Sequence, residues 1–209
     1  MSKKYELVVD DTITLWGWKL FRIKALIRFG SVDAGDLGGY VCTEDNLSQE
    51  GDAWVSGNAK VWGDAKVWGN AKVWGDAKVW GNAKVSGNAK VWGDAKVWGN
   101  AEVSGDAKVS GDAKVWGNAE VSGDAKVWGN AEVSGNAKVS DFEDVIVFKN
   151  HWSSGRHFTY TKSNKMWRVG CFYGTGQELI DKAYRDSEKS GNFYKAYVEF
   201  IASLEGLGE

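Results

Sequence analysis

The chain has 209 residues, with 26 Lys and Arg against 28 Asp and Glu for a net charge of -2, so no positive excess marks it as a nucleic-acid binder. Hydrophobic residues make up 43% of it, enough for a core, but 27 Gly, 13 Trp and no Pro depart far from ordinary globular usage and signal a repeat. No long apolar run is present, the start Met1-Ser2-Lys3-Lys4-Tyr5-Glu6 lacks the apolar stretch of a signal peptide, and Cys42 and Cys171 lack disulfide or metal spacing. The expectation is a cytoplasmic protein with no membrane segment, metal or cofactor.

In chain order, residues 1–45 read as a small β cap. Strand-like runs Tyr5 to Val9, Thr12 to Trp18 and Leu20 to Phe29 are separated by Asp10-Asp11 and Gly17, and end on the turn-rich Gly35-Asp36-Leu37-Gly38-Gly39. Residues 46–147 form the repeat region. Asn46 and Leu47 fall in the Asn and Ala slots of a degenerate hexad, and Val145 falls in a Val slot at the far end. Between them, Gly51 to Ser140 is 90 residues or fifteen hexads of G-[DN]-A-[KE]-V-[WS]. Inside each hexad Ala and Val point in while Lys and Trp or Ser point out, the alternation of a strand; Gly and Asp or Asn supply a turn at a fixed place. Such a chain builds a solenoid. Residues 148–209 read as an α+β domain, with strands over Asp144 to Phe148, Arg156 to Thr161 and Lys165 to Tyr173 at and beyond its boundary. Two helices follow. The first starts from a Thr175/Glu178 capping box, buries Leu179, Ile180, Ala183 and Tyr184, and stops at Gly191; the second buries a stripe of Phe193, Tyr197, Phe200 and Leu204.

The hexads resemble the hexapeptide-repeat proteins, whose left-handed parallel β-helices make one triangular coil from three hexads. That resemblance, carried by pairs such as Val61 with Ala65 and Val67 with Ala71, implies a mainly β protein with five coils. The handedness is what the resemblance implies and is not fixed by the pattern. The combination also resembles a group of uncharacterised, phage-associated proteins with hexads between segments like RIKALIRFGSVDAGDLGGYV and MWRVGCFYGTGQELIDKAY, which implies a viral or prophage origin and adds no functional residue.

With three hexads per coil, outward residues eighteen apart share a face. One column carries Trp62, Trp80, Trp98 and Trp116, ending in Ser134, beside Lys60, Lys78, Lys96 and Lys114, then Glu132. A second carries Trp74, Trp92 and Trp128, interrupted by Ser56 and Ser110; the third has Trp68 and otherwise Ser. Four indoles at about 4.8 Å intervals stack. They either clamp the coils from outside or form an interface, most simply a homodimer or homotrimer; such a strip exceeds what monomers usually expose. A nucleic-acid strand or glycan is disfavoured because Asp76, Asp94 and Asp112 offset the lysines. An ice-binding face is disfavoured because residues 51–140 contain no Thr.

Enzymes of the hexapeptide-repeat group use His as acyl-transfer base or as zinc ligand, and the solenoid has no His. His151, His157 and Cys171 lie in the tail, where a four-residue hairpin loop would set Thr161 opposite Met166 and leave Cys171 a small buried hydrophobe. Gly174, Thr175, Gly176 and Gln177 form a Gly-rich loop at a helix start, a weak site for a small anionic ligand such as a nucleotide, because it lacks the P-loop Lys and Glu178 competes for its donors. The reading is therefore a non-enzymatic structural or interaction protein that self-associates. A phage-encoded version would bind a host protein through the Trp62 and Trp74 columns or through tail aromatics Trp152, Trp167 and Tyr173. The alternatives are a degenerate transferase working from His157 or His151 and a binder that sequesters an anionic small molecule.

Overall fold

The computed structural model describes residues 3–207. Its centre is a parallel β-solenoid. Fifteen two-residue strands, β4 (Trp54–Val55) to β18 (Lys138–Val139), supply one rung per hexad. Residues eighteen apart pair in register, as Lys60 with Lys78 and Val61 with Val79. The Ala and Val slots from Ala53 to Val139 are at most 1% exposed, a thin continuous core in which each buried Val contributes about 1.5 to 3 kcal/mol. Every hexad Gly has a positive φ, and a Cβ on Gly75 would stand 3.0 Å from Gly93 N in the next coil. The corners are tied by side-chain ladders: Asn82 donates to Asn100, Asn100 to Asn118 and Asn118 to Asn136, at 2.9 to 3.1 Å.

The N-terminal strands β1 (Tyr5–Leu15), β2 (Trp18–Ala25) and β3 (Leu37–Val41) continue one solenoid face into an eight-stranded sheet. Asp10-Asp11 does not break β1; the register slips between Val8 and Thr12, a bulge within one long strand. Leu37 to Gly39, expected as turn, is strand, and Tyr40 pairs with Lys60 in parallel. The glycines are there for close approach: a Cβ on Gly38 would lie 2.4 Å from Ile23 Cγ1, and one on Gly39 2.6 Å from Ala59 O. Leu47 bridges Val67, so it occupies a Val slot and not the expected Ala slot. The two-residue offset comes from the short helical turn Glu44–Asn46, which replaces part of a hexad.

Strand edges of the first and last coils would leave carbonyls and N–H groups orphaned, and side chains meet them. At the top, the buried Lys4 ammonium donates to Ala53 O (2.9 Å), Gly51 O (3.2 Å) and Glu50 O (3.4 Å). Asn46 Nδ2 donates to Gly63 O and Ala65 O. At the bottom, Glu132 N donates to Thr159 Oγ1, Lys138 N to Ser163 Oγ and Ser140 N to Asp144 Oδ2. Val145 packs against the solenoid core but starts β19 (Val145–Lys149), whose ladder partner lies in the C-terminal unit.

That unit is an antiparallel sheet, β19, β20 (His157–Thr161), β21 (Met166–Val169) and β22 (Phe172–Gly174), covered by α1 (Gly176–Asp186) and α2 (Glu188–Glu205). Thr161 does face Met166. The single strand expected over Lys165 to Tyr173 is split by a Gly170-Cys171 turn, with Gly170 at φ +56 and Val169 opposite Phe172. Cys171 is therefore exposed at a loop tip, not buried. Gly191 does not end α1; it lies buried inside α2, where the two helices approach so closely that a Cβ would stand 2.2 Å from Tyr184 Cδ1. The α2 side chains that are buried are Tyr194 and Ile201, with Tyr197 and Val198 packed beside them, while Phe200 and Leu204 of the expected stripe are exposed. Trp167 is buried and Trp152 stacks on Phe193 at 4.6 Å, so both serve this unit's core, and of the three tail aromatics only Tyr173 is exposed.

Candidate functional site

The Trp62 column is a continuous stack. Ring centroids are 5.1 Å apart from Trp62 to Trp80, 4.9 Å to Trp98 and 4.8 Å to Trp116, with planes within 3°. These distances follow the strand repeat, which fixes one indole per coil. Both ends of the stack are closed by the chain itself. Trp16, at the tip of the β1–β2 hairpin, meets Trp62 and Trp80 edge-on, and Trp62 is buried with Leu20 and Tyr40. At the other end the Arg168 guanidinium lies 4.9 Å from the Trp116 ring centroid.

The lysines of this face differ along its length. Lys60 is half-buried and donates to Asn58 O at 2.6 Å; its pKa is lowered, first by burial and then by repulsion from Lys78. Lys114 pairs with Glu132 at 2.8 Å, and Arg168 Nε stands 3.7 Å from the same carboxylate. Lys96 has no carboxylate within ion-pair distance among the described residues.

Between the lower half of this face and the β19–β20 and β21–β22 connections lies a groove of about 910 Å³. Trp98, Trp116, Lys96 and Lys114 form its solenoid wall; Arg156, His157, Arg168 and Cys171 form the other. Four permanent cations face Asp112 and Glu132, and Glu132 is already engaged by Lys114. The site therefore pairs an indole floor with a cationic rim. His157 and Cys171, both exposed, share it, which the hairpin register brings about.

On the second face Trp74 and Trp92 stack at 5.0 Å and 2°. Trp128, two coils below Trp92, is 64% exposed. The third-face Trp68 stands alone at 37%.

The Gly174 to Gln177 loop is a capped helix start. Glu178 Oε2 accepts from Thr175 N at 2.8 Å and Thr175 Oγ1 at 3.0 Å, and Glu178 N donates to Thr175 Oγ1. Those hydrogen bonds hold the Glu178 carboxyl below its ordinary pKa, and they take up the donors an anion would use. Gly174 is buried against Phe172, Gly176 lies against Val198, and Gln177 Nε2 donates to Asp181.

Among the described residues no group of three metal-ligating side chains forms, and no helix is long and apolar enough to cross a membrane. Sequence reasoning found the solenoid wall of the groove and missed Arg156 and Arg168. Their signal, cations flanking a hairpin, acquires meaning only once the hairpin is set beneath the last coil. No protein-family model matches the chain, and no curated protein matches it in sequence.

Proposed function

We propose that this is a non-enzymatic interaction protein whose solenoid holds one groove rigid between two terminal units, and that the groove receives an anionic segment of a partner protein. The carrying observation is the groove's makeup: the Trp98 and Trp116 edges beneath Lys96, Lys114, Arg156 and Arg168. Stacked indoles supply apolar contact at little entropic cost, and Lys96 and Arg156, which have no carboxylate within ion-pair distance among the described residues, select acidic guests. The bracketing of the Trp62 face by Trp16 and Arg168 favours a narrow guest over the flat face of a second copy. A phage-encoded protein that engages a host factor fits this reading, on the strength of the resemblance to the phage-associated group alone. His157 and Cys171 act in it as lining.

Peptides selected from a random displayed library test it. They are expected to be acidic, to bind one per chain, and to lose about tenfold or more in affinity for the double variant Lys96→Glu with Arg156→Glu, a change of roughly 1.4 kcal/mol per decade. Selected peptides that are basic, or that bind the variant unchanged, overturn it. A solution mass showing a stable dimer that this variant dissociates assigns the groove to a second copy instead.

A further inference from the structure

The second aromatic face carries a different site. Its column reads Trp74, Trp92, Ser110, Trp128 in successive coils, so one rung is missing between two indoles. The rungs above keep a 5.0 Å stack, and the strands that carry Trp92 and Trp128 lie two ladder steps, about 10 Å, apart. One planar ring inserted over Ser110 would have the neighbours that Trp98 has between Trp80 and Trp116 on the first face.

That position is a cavity. About 440 Å³ is lined by Trp74, Trp92, Ser110 and Trp128 together with Lys90, Lys108 and Lys126, and no carboxylate lines it. Among the described residues none of these three lysines has a carboxylate within 4.0 Å, unlike Lys84, Lys114 and Lys138. On their other side the same three lysines line a neighbouring depression with Asp106, Asp124 and Asp141. Trp128, without a ring above it, is 64% exposed.

We propose that the Trp92–Ser110–Trp128 slot binds a mononucleotide, its base between the two indoles and its phosphate on the lysine column. An inserted ring must be flat, which a nucleobase is and a pyranose is not, and every base offers a π-face to an indole. The lysines line the same cavity and favour an anion attached to that ring. A single missing rung takes a single base. A nucleic-acid strand needs successive slots, and the fully stacked Trp62 column offers none.

The test uses the full chain, with guanosine monophosphate as probe, read by the indole N–H resonances of nitrogen-labelled protein and by calorimetry. The Trp92 and Trp128 signals are expected to move while those of Trp98 and Trp116 do not. Guanosine without phosphate is expected to bind about tenfold or more weakly, as is the nucleotide to Lys108→Gln. Ser110→Trp fills the slot with the residue that the same column carries at Trp92; it should stay folded and lose binding. Trp128→Ser removes one wall and should lose it as well. Absence of any shift at about 1 mM nucleotide overturns the proposal, as does unchanged binding to Ser110→Trp. Binding of a single-stranded oligonucleotide without the mononucleotide, or a dimer that Ser110→Trp dissociates in place of nucleotide binding, reassigns the slot and equally overturns it.

Discussion

Trp16 meets Trp62 edge-on, ring centroids 5.6 Å apart and planes at 72°, and it makes a second such contact with Trp80 at 5.9 Å. The N-terminal hairpin thereby covers the first indole of the stack and ties two coils together from outside. The ladder's upper end is thus a clamp within one chain. Trp16 itself is 67% exposed, so its contribution is the two edge contacts more than its own burial. Each is worth about 0.5 to 1.5 kcal/mol. Trp16→Ser is expected to lower unfolding stability by about 1 to 3 kcal/mol in urea and to open Trp62 to a collisional fluorescence quencher. A variant equal to wild type in both would leave the hairpin with no clamping role.

Lys4 gives the fold a pH response. Burial pushes its pKa from 10.5 down to about 8, with Asp52 partly opposing and Lys72 adding to the shift. Below pH 8 the ammonium is charged in both states and its burial cost is constant. Between about 8 and 10.5 the unfolded chain holds a proton that the folded chain has released, so stability rises with pH. Lys60, also lowered, acts in the same direction. Burial raises the pKa of Tyr5, Tyr160 and Tyr194, so above about pH 10 the unfolded chain loses protons that the folded one keeps, and stability falls again. The urea midpoint is expected to climb from pH 8 to pH 10 and then decline, and Lys4→Met should flatten the climb whatever its own baseline. A midpoint that falls between pH 8 and 10 in the wild type contradicts the assignment.

The repeat was legible because one physical pattern recurs fifteen times: the Ala and Val slots, the turn Gly and the eighteen-residue register all follow from the hexad. The columns of stacked indoles follow from that register alone. What failed were residues whose role depends on a neighbour distant in sequence. Gly38 and Gly39 look like a turn until Ile23 and Ala59 are seen to need the space, and Gly191 looks like a helix stop until Tyr184 lies against it. Lys4 and Asn46 show no sign in the sequence of capping carbonyls more than fifteen residues away. The groove was half legible for the same reason: its solenoid wall is periodic, whereas Arg156 and Arg168 reach it through a hairpin whose docking the hexads do not encode.

Gly191 reverses an ordinary expectation. Gly to Ala inside a helix usually stabilises by about 1 kcal/mol. Here a methyl would enter the Tyr184 ring, 2.2 Å from Cδ1 and 2.4 Å from Cγ. Gly191→Ala is therefore expected to destabilise the C-terminal unit by about 1 to 3 kcal/mol. Tyr184→Ala with Gly191→Ala should recover part of the loss, because Tyr184 is 40% exposed and can be removed at modest cost. A single variant more stable than wild type would mean that the helices separate freely.

The two caps predict how the solenoid loses structure. Asn46→Leu orphans three partners at once, Thr43 N, Gly63 O and Ala65 O, while Cys42 N keeps its bond to Val61 O, and it is expected to cost about 3 kcal/mol. Thr159→Val removes the acceptor of Glu132 N in a buried position and is expected to cost about 1 to 3 kcal/mol. In a solenoid each coil contacts only its neighbours, so a lost cap raises the free energy of the end coil first. Hydrogen exchange should then show Lys66 and Lys84 amides losing protection in Asn46→Leu, and Lys114 and Glu132 amides in Thr159→Val, with the middle coil near Lys96 affected last. The stacked Trp62 to Trp116 column opposes this, since it couples four coils along one face. Replacing Trp80 and Trp98 by Ser in either cap variant should sharpen the gradient of exchange from the damaged end. Uniform loss of protection along the whole solenoid, with or without the indoles, would show that the coils unfold as one unit and that the caps act on it globally.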